Sequence, residues 1–236
     1  MAVYDTRLTG RREIAEGTLE FILEKPKDFK FRAGQFFDIL LKAAPGAEKK
    51  TYVHGFSFVN APYEDYLSAA TRMRGSVFKN ALRDLPLNSA LQIEAVWGSY
   101  TLPKDDTKPL VFLIGGVGIT PVRSIIAQAT HDKTAHKMTL LYANKTPASA
   151  PFTEDLQRFA AQNPNFTFVP VYTQGVEPGA ERGRINADMI RRHVPDPASA
   201  IYYLSGPASM VRAMRELLVQ MDIDEENIRT EEFDGY

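Results

Sequence analysis

The sequence predicts two domains, an antiparallel β-barrel followed by an α/β domain with a doubly wound parallel sheet. Residues 1 to about 100 form short, mostly alternating runs broken by turns, a pattern typical of a small antiparallel barrel. From residue 109 to 236, apolar runs alternate with helical patterns, which favours parallel strands joined by helices. Between them lies the polar, proline-bounded segment 103–109, which we interpret as the linker. The predicted domains therefore span 1–102 and 109–236.

In the first domain the pattern predicts several strands and one helix. The strand-like runs are 18–24, 35–41, 51–53, 54–59 and 91–96. Residues 77–85 have apolar side chains at helical spacing, with Ser76 as the predicted N-cap. Arg72 and Arg74 come just before this helix, and Gly75 leaves its first amides accessible, so the segment fits a phosphate site. Taken alone, however, this segment favours a capped connecting helix with solvated arginines.

In the second domain the predicted strands and helices alternate along the chain. The expected strands are 111–114, 137–143, 165–172 and 200–204, and the expected helices are 121–130, 152–162, 186–193 and 207–221. The uninterrupted apolar runs among these strands are typical of a parallel sheet that is buried on both faces. Such sheets bind ligands at the carboxyl ends of their strands.

Two glycine-containing turns follow buried strands of this domain. The first contains Gly115, Gly116 and Gly118, and its lack of side chains lets the backbone approach a pyrophosphate at the start of the next helix. The second is Ser205-Gly206-Pro207. Because both follow strands of one predicted sheet, we expect them to face one pocket. Each turn alone also fits an ordinary strand-to-helix connection.

Composition excludes several classes of function. The formal net charge of −1 gives no positive field for nucleic acid or an anionic membrane. The chain has no cysteine, so it has no disulfide, no thiolate nucleophile and no cluster held by its own thiolates. Its four histidines lack a metal-ligand spacing, so we expect no metal site. No run is long enough to cross a membrane and the first residues lack a signal-peptide pattern, so we expect a cytoplasmic protein.

Several short motifs, in order, resemble those of the ferredoxin–NADP reductase superfamily. The matching segments are 31–36 (FRAGQF), 54–57 (HGFS), 74–76 (RGS), 98–103 (GSYTLP), 115–121 (GGVGITP), 205–207 (SGP) and the aromatic C-terminus. The resemblance covers nearly the whole chain. It implies a Greek-key barrel that binds flavin, followed by a domain that binds a nicotinamide nucleotide.

The resemblance also implies roles for residues of the barrel. Ser57 would hydrogen-bond flavin N5 and Phe56 would pack against the isoalloxazine. His54 stands where the family has an arginine that grips the flavin phosphate, and we expect Arg72 or Arg74 to supply the missing charge. The backbone at the start of the helix would hold the flavin phosphates. The residues expected there are Gly75, Ser76 and Val77.

In the second domain, the family uses the first glycine turn to hold the nicotinamide nucleotide. The residues that match are Gly115, Gly116, Val117, Gly118, Thr120 and Pro121, joined by Gly206 and Pro207 of the second turn. Ser205 stands where the family has a cysteine near the transferred hydride. The family's terminal aromatic residue covers the flavin, and Phe233 and Tyr236 are both candidates for it. Glu231 or Glu232 matches an acidic residue near the flavin, or is a solvated end charge.

The implied activity is hydride transfer from NAD(P)H to bound FAD, with FMN as the other candidate flavin. Electrons would pass to a separate acceptor, such as ferredoxin, flavodoxin, an oxygenase component, free flavin or ferric iron. Thr173 and Gln174 lack the charge that NADP-using relatives often have there, which slightly favours NADH, although Arg182 and Arg184 could reach a phosphate. The alternative is a flavin- or nucleotide-binding docking subunit of a larger complex with little activity alone.

Overall fold

The structure, a computed structural model, describes residues 2–42, 51–175 and 177–233. Its strands form two six-stranded sheets, one antiparallel and one parallel, as the sequence predicts. The first sheet comprises β1 (Ala2–Ala15), β2 (Thr18–Leu23), β3 (Phe36–Lys42), β4 (Thr51–Ser57), β5 (Leu67–Arg72) and β6 (Ala90–Trp97). Helix α1 (Val77–Asp84) connects β5 to β6.

The first sheet has the strand order β4-β3-β6-β1-β2-β5. Since β6 inserts between β3 and β1, the connections cross between non-neighbouring strands, as in a Greek key. The edge strands β4 and β5 approach each other and the sheet encloses an aromatic core. In that core Phe58 stacks on Phe37 at 4.5 Å and on Phe31 at 4.0 Å between ring centroids. This packing fixes the end of β4, from which Ser57 projects.

The second sheet has the order β10-β9-β8-β7-β11-β12, and all its pairs are parallel. Its strands are β7 (Leu110–Gly115), β8 (Met138–Asn144), β9 (Phe166–Tyr172), β10 (Glu181–Arg182), β11 (Ile201–Pro207) and β12 (Ile228–Phe233). Its helices are α2 (Ile119–Asp132), α3 (Thr153–Gln162), α4 (Ala187–His193) and α5 (Ala208–Gln220). Helices α2 and α3 contribute to the core on one face, and α4 and α5 to the core on the other.

Four strands have no counterpart among the predicted elements, and one of them, β10, is only two residues long. β1 is rich in charged residues, and only Thr6 and Leu8 within it are buried. β5 is made mostly of small residues. β12 pairs with β11 as a parallel strand, with Ser205 opposite Glu231. The C-terminal segment up to Phe233 is therefore a sheet strand rather than an untethered tail.

The two sheets share one continuous core. Val59 of the first half and Tyr100, which lies between β6 and β7, pack with Phe112 and Ile125 of the second half. We call the contact formed by these four residues the seam. Gly34 lies so close to this seam that a Cβ there would overlap the Tyr100 carbonyl oxygen, and its φ of +92° also requires glycine. The seam therefore fixes the position of one half against the other.

A buried ion network reinforces the seam. Arg123 of α2 donates to Glu64 at 2.8 Å and to Asp155 at 2.8 Å, and also to the Val59 carbonyl at 3.1 Å. Burial opposes ionisation of Glu64 and Asp155, but Arg123 outweighs it, so the pKa of each carboxyl lies below its ordinary value. Separating the two halves would leave the Arg123 guanidinium without Glu64 and the Val59 carbonyl, so this network opposes their separation.

Candidate functional site

An open cleft of about 500 Å³ lies at the carboxyl ends of the parallel strands. Gly115 and Gly116 from the first predicted turn line it, together with Pro207 from the second. Arg72 and Arg74 close it from the side of the first sheet. The structure thus brings both glycine turns to one cleft, as the sequence predicts, and it places the arginines that precede α1 beside them.

The two turns are packed directly on each other. A Cβ on Gly118 would lie 2.6 Å from backbone atoms of both Ser205 and Gly206. Those atoms belong to the main chain and cannot rotate away, so only glycine allows this approach. The contact sets the spacing between β7 and β11, where the strand order reverses and open α/β sheets bind ligands.

Behind these turns, three polar side chains from separate strands meet. The Ser57 hydroxyl at the end of β4 donates to Glu231 Oε1 of β12 at 3.4 Å. Glu231 is the register partner of Ser205 on β11. Among the described residues, Ser205 Oγ and Glu231 Oε2 are buried with no hydrogen-bond partner. Buried polar atoms are rarely left unpaired in folded proteins, so these atoms indicate a place for a bound polar group.

Glu231 is electrostatically unusual. Burial raises its pKa to about 7, and the hydrogen bond from Ser57 only partly offsets this effect. Near neutral pH the carboxyl therefore exchanges between its protonated and ionised forms. Arg229 fixes the strand that holds Glu231, since its guanidinium donates to the Thr101 carbonyl at 3.1 Å and to the Tyr203 hydroxyl at 2.5 Å.

The start of α1 has the form expected of an anion site. The Ser76 hydroxyl accepts from the Lys79 amide at 3.2 Å, which confirms Ser76 as the N-cap. The first amides of the helix have no partner within it. A Cβ on Gly75 would meet no atom within 4 Å, so the space beside this turn is open. Lys79 is buried, and its ammonium donates to the Arg72 carbonyl at 3.1 Å.

His54 lies in an aromatic stack. Its ring lies 4.7 Å from the Phe56 ring and 5.3 Å from the Phe78 ring, centroid to centroid. Nδ1 of His54 lies 2.9 Å from the Gly55 carbonyl oxygen. Next to the stack, Val77 at the start of α1 is 66% exposed. The stack and Val77 give the barrel an apolar wall that adjoins the start of α1.

Other predicted residues lie beneath the cleft surface. Thr120 is buried and its hydroxyl donates to the Val117 carbonyl at 3.1 Å, so it stabilises the start of α2. Pro121 is buried in the same helix. Phe233, the last residue of β12, is the register partner of Pro207 at the cleft edge. Tyr236, the other candidate for the covering aromatic residue, lies outside the described residues.

The cleft also contains residues that sequence reasoning missed. Asn144 is the last residue of β8 and Lys145 follows it, just as Gly115 is the last residue of β7, and all three line the cleft. No motif marks Asn144 and Lys145. The sequence feature that could have identified them is their position at the end of a predicted parallel strand. Of the two arginines that the sequence analysis considered for a phosphate, Arg184, which follows β10, lines the cleft, whereas Arg182 does not.

Neither a metal site nor a membrane span emerges from the described ranges. Their His, Asp and Glu side chains form no group able to hold a metal ion. None of the helices in these ranges has the length and apolar character required to cross a membrane.

The sequence matches known oxidoreductases. Residues 112–216 match the family model described as the oxidoreductase NAD-binding domain. The chain is 26% identical over 211 residues to reductase component 1 of terephthalate 1,2-dioxygenase from a Comamonas species, covering 88% of this chain and 60% of the relative. The chain spans 60% or less of the length of several such curated relatives.

The fold matches solved flavoproteins. A ferredoxin NADP⁺ reductase from Neisseria gonorrhoeae with bound FAD and NADP superposes with a TM-score of 0.84 at 20% identity, covering 98% of each chain. A flavohemoglobin from Malassezia yamatoensis with bound FAD and heme gives 0.85 at 22% identity, covering 99% of this chain and 60% of that one. At these identities the likeness establishes the fold.

Proposed function

We propose that this chain is a member of the ferredoxin–NADP reductase-like superfamily and a flavin-dependent NAD(P)H oxidoreductase that delivers electrons to a separate acceptor. The observation that supports this best is the contact between Ser57 of the first sheet and Glu231 of the second, directly beside Ser205. Polar groups from both halves meet there, next to a cleft lined by a strand-to-helix glycine turn. This is the arrangement needed to place two ring systems against each other.

The side chains at this junction fit a flavin. Its polar ring edge would satisfy the buried atoms Ser205 Oγ and Glu231 Oε2, which lack partners among the described residues. The half-buried His54, which stacks on the buried Phe56, offers a ring face, and the open start of α1 offers amides to a phosphate. When bound, a flavin supplies an acceptor for two electrons that can release them one at a time.

The chain's own residues then bind, orient and exchange a proton. Gly115 and Gly116 leave the turn open for the backbone to approach a nicotinamide nucleotide. Ser57 donates a hydrogen bond to Glu231 Oε1, which can hold or release a proton because its pKa is about 7. A flavin phosphate needs a positive charge beside it, and His54 is stacked on Phe56. Arg72 or Arg74, which line the cleft, supplies that charge instead.

The electron acceptor is proposed to be a separate redox partner. This chain has no cysteine with which to hold an iron–sulfur cluster. The curated relative from Comamonas is a reductase component of a dioxygenase. An oxygenase component, a ferredoxin or a flavodoxin is therefore the kind of partner we propose, and free flavin or ferric iron are alternatives.

A second candidate is an electron-transfer or docking subunit with little activity alone. The observations that favour it are His54 and Ser205, which stand where the resembled family has an arginine and a cysteine. This candidate predicts a flavin-loaded protein that neither nucleotide reduces.

A spectrum tests the proposal directly. The purified protein is saturated with FAD or FMN, desalted and mixed with NADH or NADPH without oxygen. The proposal predicts a yellow protein that one of the nucleotides bleaches. A colourless protein after saturation with both flavins would contradict it, and a yellow protein that is not bleached would favour the docking subunit.

Variants then test the residues. Arg72→Ala and Arg74→Ala should reduce flavin retention on desalting, at least one of them strongly. Ser57→Ala should slow bleaching while leaving flavin retention largely intact. Unchanged retention in both arginine variants would refute their assignment to the flavin phosphate.

A further inference from the structure

We propose that Tyr100 is a positioning residue for Glu231, and that its buried hydroxyl and Glu231 Oε2 hold one water molecule between them. This water gives Glu231 Oε2 a hydrogen-bond donor that is independent of Ser57, which donates to Oε1. The inference rests on the proposed function, because Glu231 belongs to the proposed flavin site. It adds a residue from the connection between β6 and β7 to that site.

Tyr100 packs against the face of the parallel sheet that contains Glu231. Its ring lies edge-on to the ring of Tyr203, with the two centroids 5.0 Å apart. The carbonyl of the next residue, Thr101, accepts hydrogen bonds from the Tyr203 hydroxyl at 2.8 Å and from Arg229 at 3.1 Å. Arg229 is the register partner of Tyr203 and comes two residues before Glu231 in β12. Because side chains two residues apart in a strand point to the same face, Tyr100 and Glu231 lie on the same side of the sheet.

Tyr100 supplies a buried donor and Glu231 a buried acceptor. Among the described residues, Tyr100 Oη and Glu231 Oε2 are both buried without a hydrogen-bond partner, so they do not bond to each other. Burial raises the pKa of the Tyr100 hydroxyl well above its ordinary value, and the charge of Glu231 raises it further. The hydroxyl therefore stays protonated, and it lies near enough to Glu231 to be affected by the carboxylate charge.

A water molecule satisfies both groups at once. Buried waters typically make about three hydrogen bonds to polar groups that would otherwise lack a partner. Tyr100 would donate to this water, and the water would donate to Glu231 Oε2. Ser205 Oγ, beside Glu231 on β11 and likewise without a partner in the described part of the chain, is available for the third bond. Hydroxyl and carboxylate oxygens can each take part in several hydrogen bonds, so a flavin can contact Ser205 and Glu231 as well.

The water favours the ionised form of Glu231. A hydrogen bond donated to a carboxylate lowers its pKa, so the water opposes part of the effect of burial, which raises the pKa of Glu231. This contact depends on the Tyr100 hydroxyl rather than on the ring. Removing only the hydroxyl should therefore raise the pKa of Glu231.

The other groups around Glu231 do not depend on that hydroxyl. Ser57 reaches Glu231 from β4, and Tyr203 and Arg229 are the described titratable groups on the same face of β11 and β12. Gly116–Gly118, which also contacts β12, has no titratable side chain. Helix α5 packs on the opposite face of the sheet, so its charged residues are separated from Glu231 by β12 itself.

Tyr100→Phe tests the proposal, because it removes the hydroxyl and keeps the ring. In protein labelled with ¹³C-glutamate and free of flavin, the carboxyl signal of Glu231 is identified by its loss in Glu231→Gln and then followed against pH. Tyr100→Phe should shift the midpoint of this titration upward by about 0.5–1 pH unit, since a water-mediated hydrogen bond is nearly as favourable as a direct one. Tyr202→Phe is the matched control and should not move the midpoint. Tyr202 is also buried, but its hydroxyl donates to the Pro197 carbonyl at 3.0 Å, and its ring belongs to the core on the other face.

Two further measurements examine the water and its effect on the loaded protein. A high-resolution crystal structure should show a water within hydrogen-bond distance of Tyr100 Oη and Glu231 Oε2, and Tyr100→Phe should lack it. In the flavin-saturated protein, the pH midpoint of bleaching by the reducing nucleotide should move upward in Tyr100→Phe, as the midpoint of the Glu231 titration does.

The remaining outcomes separate this inference from the proposed function. A Glu231 midpoint that is unchanged or lowered in Tyr100→Phe would overturn the inference and leave the proposed oxidoreductase intact. An equal upward shift in Tyr202→Phe would overturn it too, because the effect would then follow from the loss of any buried hydroxyl. A protein that binds neither FAD nor FMN would contradict the proposed function, while the titration without flavin would still decide whether Tyr100 acts on Glu231.

Discussion

Replacing Glu231 with glutamine should stabilise the protein at alkaline pH and leave it unchanged in acid. The carboxyl is buried between β4 and β11, and one of its oxygens has no partner among the described residues. Burial raises its pKa to about 7 from an ordinary 4.5, which means that the fold disfavours the ionised form. The glutamine side chain would keep the shape and the hydrogen-bonding capacity without the charge.

The sign and size follow from proton linkage. A carboxyl whose folded pKa is raised binds more protons in the native state, so stability falls as pH rises between the two pKa values. At about 1.4 kcal/mol per pH unit, the rise from 4.5 to about 7 corresponds to an upper value of about 3 kcal/mol. Below pH 4.5 both states are protonated and Glu231→Gln should have little effect. Above pH 7 Glu231→Gln should increase the free energy of unfolding by most of this value of about 3 kcal/mol.

The assay is urea unfolding at several pH values between about 4 and 8.5, with equal flavin content in all proteins. Glu232→Gln is the matched control, because Glu232 is adjacent on β12 but exposed. We expect the curves of Glu231→Gln and the unmodified protein to diverge with rising pH, and those of Glu232→Gln and the unmodified protein to remain parallel. Parallel curves for Glu231→Gln across this range would refute the assignment of a buried carboxyl with a raised pKa.

Three further substitutions test the geometry. Gly118→Ala should cost about 1–3 kcal/mol in urea unfolding and weaken nucleotide binding, because its Cβ would press on the backbone of the second turn. Arg123→Met should cost about 3 kcal/mol in the same assay, since it removes the buried cation shared by two half-buried carboxylates, of which only Asp155 keeps another arginine, Arg158. Ser76→Ala should cost about 1 kcal/mol and speed flavin loss on desalting, because it removes the N-cap of α1.

Each of these three predictions has a result that would contradict it. Gly10→Ala is a control for Gly118, since its Cβ would meet nothing closer than 3.4 Å, and equal costs at the two positions would argue against the tight turn contact. An Arg123 variant as stable as the unmodified protein would show that the ion network contributes little. If Ser76→Ala retained flavin as well as the unmodified protein does, the N-cap of α1 would have no part in flavin binding.

Much of the fold could be predicted because its signals are local. The uninterrupted run from Leu110 to Ile114 and the glycines after it mark a buried strand and a turn without reference to the rest of the chain. The same holds for Ser76, whose capping role depends on residues within one helical turn. Alternation of strand and helix then favours a parallel sheet, and the strand ends mark the cleft.

The missed elements depend on distant partners. β12 has no strong apolar pattern, and it becomes a strand because β11 offers an edge to pair with. The environment of Glu231 arises only from that pairing and from Ser57, which is 174 residues away in the chain. Asn144 and Lys145 belong to no motif, so their shared cleft appears only once β8 is placed beside β7.

The seam between the sheets bears on how this polypeptide can be dissected. Val59, Tyr100 and Ile125 belong to one hydrophobic cluster, and Arg123 ties α2 to the loop that contains Glu64. Either half, expressed without the other, would expose that cluster to water and tend to aggregate. Chimeras assembled from related enzymes would need to exchange the matching contact surfaces together. Calorimetric melting of the intact chain should then give a single cooperative peak.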